Sequence, residues 1–211
     1  MKTDDLIARL SDEPLRARPV EATLALALAG GALIALPAML LWLQVRPDIA
    51  AAVTTDAFWM KLAYAIALAA LAFPVVARLA RPDGLAGRFS LAIAAPVLML
   101  LGLALYQVAQ APPGGAMHLV MGASANVCSL RIVALSTPVF AALFLSMRSL
   151  APTRLAEAGA AAGVLAGAVG TIIYALHCDE SAAPFVVVWY TLGIAAVGAL
   201  GGLLGRTLLR W

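Results

Sequence analysis

Charge is scarce in this 211-residue chain: only 12% of residues are Asp, Glu, Lys or Arg, against 64% that are apolar. With a mean hydropathy of +0.98 there are too few polar side chains to cover a water-exposed surface, which excludes a soluble globule. No sign dominates either. The net charge of +3 comes from 14 Lys and Arg against 11 Asp and Glu, and the one basic patch lies near the N-terminus, so a direct nucleic-acid binder is excluded. Cysteine and histidine are nearly absent, at two each, too few for a disulfide scaffold or a zinc cluster by count. There is no His-Glu-x-x-His, Gly-x-Ser-x-Gly, Gly-Lys-Ser/Thr or Cys-x-x-Cys pattern, so the sequence does not read as an enzyme and calls for no obligatory cofactor.

What is present is long apolar runs. A hydrocarbon core of about 30 Å takes about 20 apolar residues in a helix, and six runs fit. They lie between Glu21 and Arg46, between Lys61 and Arg78, after Arg88 to near Gln107, from about Val127 to Met147, from about Ala158 to Leu176, and from about Pro184 to Gly205. A spanning segment must satisfy its backbone internally, and the alternation of a barrel strand is missing, so these are predicted helices. The first run is too long for a signal-peptide core and is expected to stay in the mature chain. The fold class is therefore all-α, a polytopic membrane protein of six helices in three hairpins, with an arm at 1–20 and a membrane domain at 21–211. The inner part of the spans has almost no ionisable group, which disfavours ion-coupled transport.

Eleven of the fourteen Lys and Arg fall on one side: the arm, Arg78, Arg81, Arg88, Arg148, Arg154, Arg206 and Arg210. The other side holds Arg46 and Lys61, with Arg131 just inside the fourth helix. The asymmetry predicts that both termini are cytoplasmic. Gly159, Gly163 and Gly167 on the fifth run, and Gly201 and Gly205 on the sixth, predict closely packed helix backbones.

Given that topology, every Cys and His faces the opposite, periplasmic side. His118 falls in an uncharged third loop, Cys128 and Arg131 share a face at the start of the fourth helix, and His177, Cys178, Asp179 and Glu180 fill the fifth loop. Two thiols there could pair, could join His177 and His118 as donors to a soft or borderline metal ion, or could remain unconnected. Arg131 is expected to pair with Asp179 or Glu180, or to snorkel outward. In the arm, Asp4 and Asp5 stand in the first turn of a short helix whose Leu6, Ile7 and Leu10 form an apolar face. Either the lipid bilayer or a protein groove would cover it.

The opening Met1-Lys2-Thr3-Asp4-Asp5-Leu6-Ile7, the six spans, Cys128 with Arg131, and His177-Cys178-x-Glu180-Ser181-x-x-x-Phe185-x-x-x-Trp189-Tyr190-x-x-Gly193 together resemble the NrsF family of membrane anti-sigma factors. The resemblance covers essentially the whole chain. It implies a bacterial inner-membrane protein that holds an extracytoplasmic-function sigma factor inactive and releases it on heavy-metal or oxidative stress, with Cys128 and Cys178 as the sensing pair. On that view a heavy-metal ion is a signal, not a resident cofactor. His177, Arg131 and Glu180 are expected to tune the thiols, and Asp4, Asp5, Leu6, Ile7 and Leu10 to contact the partner. The rivals are a small channel or transporter, and a quinone-linked thiol oxidoreductase.

Overall fold

The structure, a computed structural model, describes residues 19–87 and 89–210. The arm and its expected partner contacts, Asp4, Asp5, Leu6, Ile7 and Leu10, lie outside the described residues. The rest is helical, with no strand among the described residues. Six helical spans are long and apolar enough to cross a membrane; their helices are α1 (Val20–Trp42), α2 (Asp56–Leu79), α3 (Ala94–Ala109, within the span Ser90–Ala109), α4 (Ala125–Arg148, within the span Gly115–Arg148), α5 (Leu155–Tyr174) and α6 (Ala183–Leu208). Each grows from the runs expected of it. Chain features set the ends: Pro19 precedes α1, and Thr55 Oγ1 caps α2 by accepting from Phe58 N at 3.4 Å.

α5 is the centre of the bundle, with 61% of its spanning window buried against 11% for the third span. Composition explains the difference. α5 carries Gly159, Gly163, Gly167 and Gly170, and a methyl group at Gly163 would collide with the backbone of Val197 and Gly198 on α6. Small residues let backbones approach where lipid tails offer no hydrophobic incentive to associate, so dispersion contact decides which helix lies inside. α3, rich in Leu and Met with Leu98, Met99 and Leu105 exposed, is the helix lipid covers.

Packing departs from three sequential hairpins. α5 and α6 do pack along their lengths, but α1 lies chiefly on α4 and α2 chiefly on α5. At that contact Gly31 of α1 admits the Pro138–Val139 backbone of α4.

Two features were absent from the sequence reading. The third loop contains a short helix, Gly115–Met121, with His118 on it. α6 is interrupted by a π turn at Val186–Tyr190. Such turns free a carbonyl from the helical ladder. Here the carbonyl of Trp189 accepts from Ser129 Oγ at 2.7 Å, and the indole Nε1 donates to Val120 O at 2.8 Å. The π turn thus pins α6 to the beginning of α4 and to the short helix.

Candidate functional site

The two cysteines meet at one end of the bundle. Cys128 stands one turn inside α4, and Cys178 lies just beyond α5, where the carbonyl of Tyr174 accepts from both His177 N (2.9 Å) and Cys178 N (3.1 Å) and closes the helix. Both are free cysteines, 0% and 2% exposed, and their thiols share a hydrogen bond. Around them stand Tyr174 and Tyr190, ring centroids 5.9 Å apart. Both hydroxyls are buried; Tyr174 faces the Cys128 sulfur and the Arg131 guanidinium, and Tyr190 faces the Cys178 sulfur. The π turn is what presents Tyr190 here.

The loop above the thiols is held from three directions. Lys61 of α2, 1% exposed, donates through Nζ to the carbonyls of Cys178 at 2.5 Å and Glu180 at 2.9 Å. Arg46 donates from the first loop to the same Cys178 carbonyl at 3.3 Å, while Asp48 orients its guanidinium through two bonds of 2.6 and 2.7 Å. That pairing keeps the Asp48 carboxyl below its usual range and raises the Arg46 pKa, its hydrogen bond being the largest cause of each shift. A backbone bond from Arg46 N to Leu176 O, 3.2 Å, ties the two loops directly.

The third direction is Glu180. Its carboxylate accepts from Ala123 N (2.6 Å), Ser124 N (3.1 Å) and Ser124 Oγ (3.2 Å), capping α4 from across the fold. This corrects the expected ion pair. Arg131 meets neither Asp179 nor Glu180 but the ring of His177, NH1 to Nε2 at 3.2 Å. The unsatisfied N–H groups and positive dipole end of α4 attract the carboxylate instead. His177 Nδ1 lies 3.0 Å from the Gln44 carbonyl, which can only accept, so Nδ1 carries the proton and Nε2 accepts from Arg131. Gly122, at φ +52°, leaves room for the carboxylate that a Cβ would displace.

Cys178 is electrostatically distinct. Its thiol pKa is lowered to about 6, chiefly because the Cys128 S–H donates to it, with the Lys61 ammonium adding to this against the cost of burial. The residues that follow it, Asp179, Glu180 and Ser181, line a cavity of about 320 Å³ together with Arg46, Asp48 and Lys61 among others, while the thiol itself is buried behind them. A low-pKa thiol is chemically poised as a nucleophile and as a soft metal ligand.

The structure gathers Cys128, Cys178, His177, Arg131 and Glu180 into one end of the bundle, but His118 sits exposed on its short helix. Among the described residues no three of His, Cys, Asp and Glu converge to hold a metal ion, so the suggested set of Cys128, Cys178, His177 and His118 contracts to the thiol pair. Sequence reasoning missed Lys61, Arg46, Tyr174 and Tyr190. Lys61 carried a usable signal, since an ionisable residue entering an apolar span is a functional candidate.

A family profile described as "Negative regulator of sigma F" matches residues 10–211. The chain is 42% identical over 213 residues to the "Probable anti-sigma-F factor NrsF" of Azospira oryzae. It is 39% identical over 215 residues to the "Anti-sigma-F factor NrsF" of Caulobacter vibrioides, and both alignments cover all of each chain. No solved structure matches it. With agreement of this extent, the chain belongs to the NrsF family, a family of regulators and not of enzymes.

Proposed function

We propose that this chain is an inner-membrane anti-sigma factor with both termini in the cytoplasm. It holds an extracytoplasmic-function sigma factor inactive and releases it when the periplasmic pair Cys128 and Cys178 meets a heavy-metal ion or an oxidant. The names of its relatives support the output. One observation carries the input: the buried thiol pair bridges α4 and the α5–α6 loop, and the loop is clamped by Lys61 of α2 and capped onto α4 by Glu180. Two thiolates are a soft donor pair suited to cadmium-like ions, and the same pair is suited to a disulfide.

A change at the thiols has to reach the opposite end, about 30 Å away. α5 is the route, because it packs on α1, α2, α4 and α6. At that opposite end Arg81 pairs with Glu21 at 2.7 Å, and Thr153 Oγ1 donates to Pro82 O at 2.7 Å. These two contacts join the start of α1 to both Arg-bearing loops. The arm, with Asp4, Asp5, Leu6, Ile7 and Leu10 as its contact set, precedes Glu21 in the sequence and docks in an apolar groove of the sigma factor.

Affinity purification of the full chain from its native membrane, followed by mass spectrometry, tests this. Recovery of a sigma factor, lost after cadmium or peroxide treatment, is the expected result. A quinone-linked redox partner in its place would overturn it in favour of a thiol oxidoreductase.

A further inference from the structure

We infer that the thiol pair is asymmetric, with Cys178 the site that a hydroperoxide converts to a sulfenic acid and Cys128 the thiol that resolves it to a disulfide. The inference rests on the proposal that this pair is the sensor and assigns each sulfur its part.

Three observations separate the two residues. First, the opening lies nearer the Cys178 loop: Asp179, Glu180 and Ser181, which follow Cys178, line the 320 Å³ cavity with Lys61, and no residue of α4 does, both thiols being buried. A peroxide arriving through it meets the Cys178 loop before it meets α4. Second, Lys61 Nζ and Arg46 NH1 hold the Cys178 carbonyl at 2.5 and 3.3 Å and place two cations on its loop, whereas the cation in the turn of Cys128, Arg131, is directed to the ring of His177 at 3.2 Å. Positive charge favours the thiolate, which is the form that attacks an O–O bond. The low thiol pKa at Cys178 agrees with that placement. Third, the two thiols are hydrogen-bonding neighbours, so the resolving thiol is in place before the first step.

The chemistry balances. The Cys178 thiolate attacks the distal oxygen of ROOH, an S–O bond forms as the O–O bond breaks, and the departing RO⁻ takes a proton to leave as ROH. The Cys128 sulfur then attacks the sulfenic sulfur, the S–S bond forms, and hydroxide leaves with the Cys128 proton as water. Two thiols lose two electrons and the peroxide gains them.

Full-length protein in detergent, treated with hydrogen peroxide and the sulfenic-acid probe dimedone and mapped by mass spectrometry, decides the matter. Wild type should yield the Cys128–Cys178 disulfide. Cys128→Ser, which keeps a hydroxyl donor beside Cys178 but cannot resolve, should trap the adduct on Cys178 at least tenfold faster than Cys178→Ser traps it on Cys128, each rate being taken relative to the same variant denatured in dodecyl sulfate. Equal or inverted rates would overturn the assignment. A cellular reporter keeps the two failures apart. If Cys128 labels faster while both variants lose peroxide induction, only the assignment fails. Normal induction in both variants removes the sensor reading on which it rests.

Discussion

The ammonium of Lys61 reaches the carbonyl of Cys178 at 2.5 Å, joining the second helix to the fifth loop through a nearly inaccessible bond. Removing the side chain leaves that carbonyl with Arg46 alone and the Glu180 carbonyl without this donor. An unsatisfied buried acceptor costs about 1–3 kcal/mol. Lys61→Met should therefore lower the thermal unfolding temperature in detergent and speed maleimide labelling of Cys178. An unchanged melt with unchanged labelling would show that the clamp contributes nothing.

Glu180 and α4 form the second testable link. Glu180→Ala removes the acceptor for three donors at the helix start, a loss of about 0.5–2 kcal/mol for a cap. Hydrogen exchange at the first turn of α4 should rise, with little change in α1. Protection that stays at wild-type level in residues 125–128 would contradict the capping role.

The α5–α6 crossing predicts a contrast between two glycines. Gly163→Val places atoms where the Val197–Gly198 backbone lies and should abolish a folded, monodisperse detergent peak. Gly102→Ala, with nothing within 4 Å of the added carbon, should melt like wild type. Similar behaviour of the two would mean that the crossing is looser than its geometry.

Cys178 should alkylate with an unusual pH dependence. Because its folded pKa lies near 6, the thiolate is present above that value and is lost as pH falls through it. An ordinary thiol titrates near about 8.5. The groups acting on it are Cys128, Lys61, Tyr190 and the Glu180 backbone, with Arg46 nearby. Iodoacetamide reaction of the Cys178 thiol should rise between pH 5 and 7 and then level off. Replacing Cys128 by Ala should move the midpoint up, since the largest cause of the shift is gone. A wild-type midpoint above pH 8 would refute this.

Deleting residues 2–12 should leave membrane insertion intact and derepress the sigma-dependent genes, read by a reporter fusion. Full repression by the truncated chain would transfer the contact to the loops around Arg81 and Arg154.

The six spans were legible because an apolar run of membrane length has one stable outcome in lipid, and the glycine stripes because a missing Cβ is a local fact about how near a backbone can come. Helix neighbours were not legible. That α1 packs on α4, with Gly31 meeting Pro138–Val139, is announced by no spacing in either segment. The site divided along the same line. Cys128 and Cys178 stood out by scarcity, while Glu180 looked like a counter-ion for Arg131 because sequence shows charges and hides the free N–H groups of a helix end. Lys61 looked like a border charge, since its acceptors are carbonyls more than a hundred positions away.

The π turn at Val186–Tyr190 sets the phase of the last helix. It is one residue of surplus absorbed in place, and one residue corresponds to about 100° of rotation about a helix axis. Were the turn to wind back into the α ladder with its length unchanged, Tyr190 and Gly198 could not both keep their neighbours, because one end would rotate relative to the other. Removing a single residue such as Val187 would erase the surplus and preserve the phase, at the cost of the Trp189 carbonyl that holds Ser129. The thiol-facing and glycine-bearing ends of α6 are therefore geared to each other through five residues.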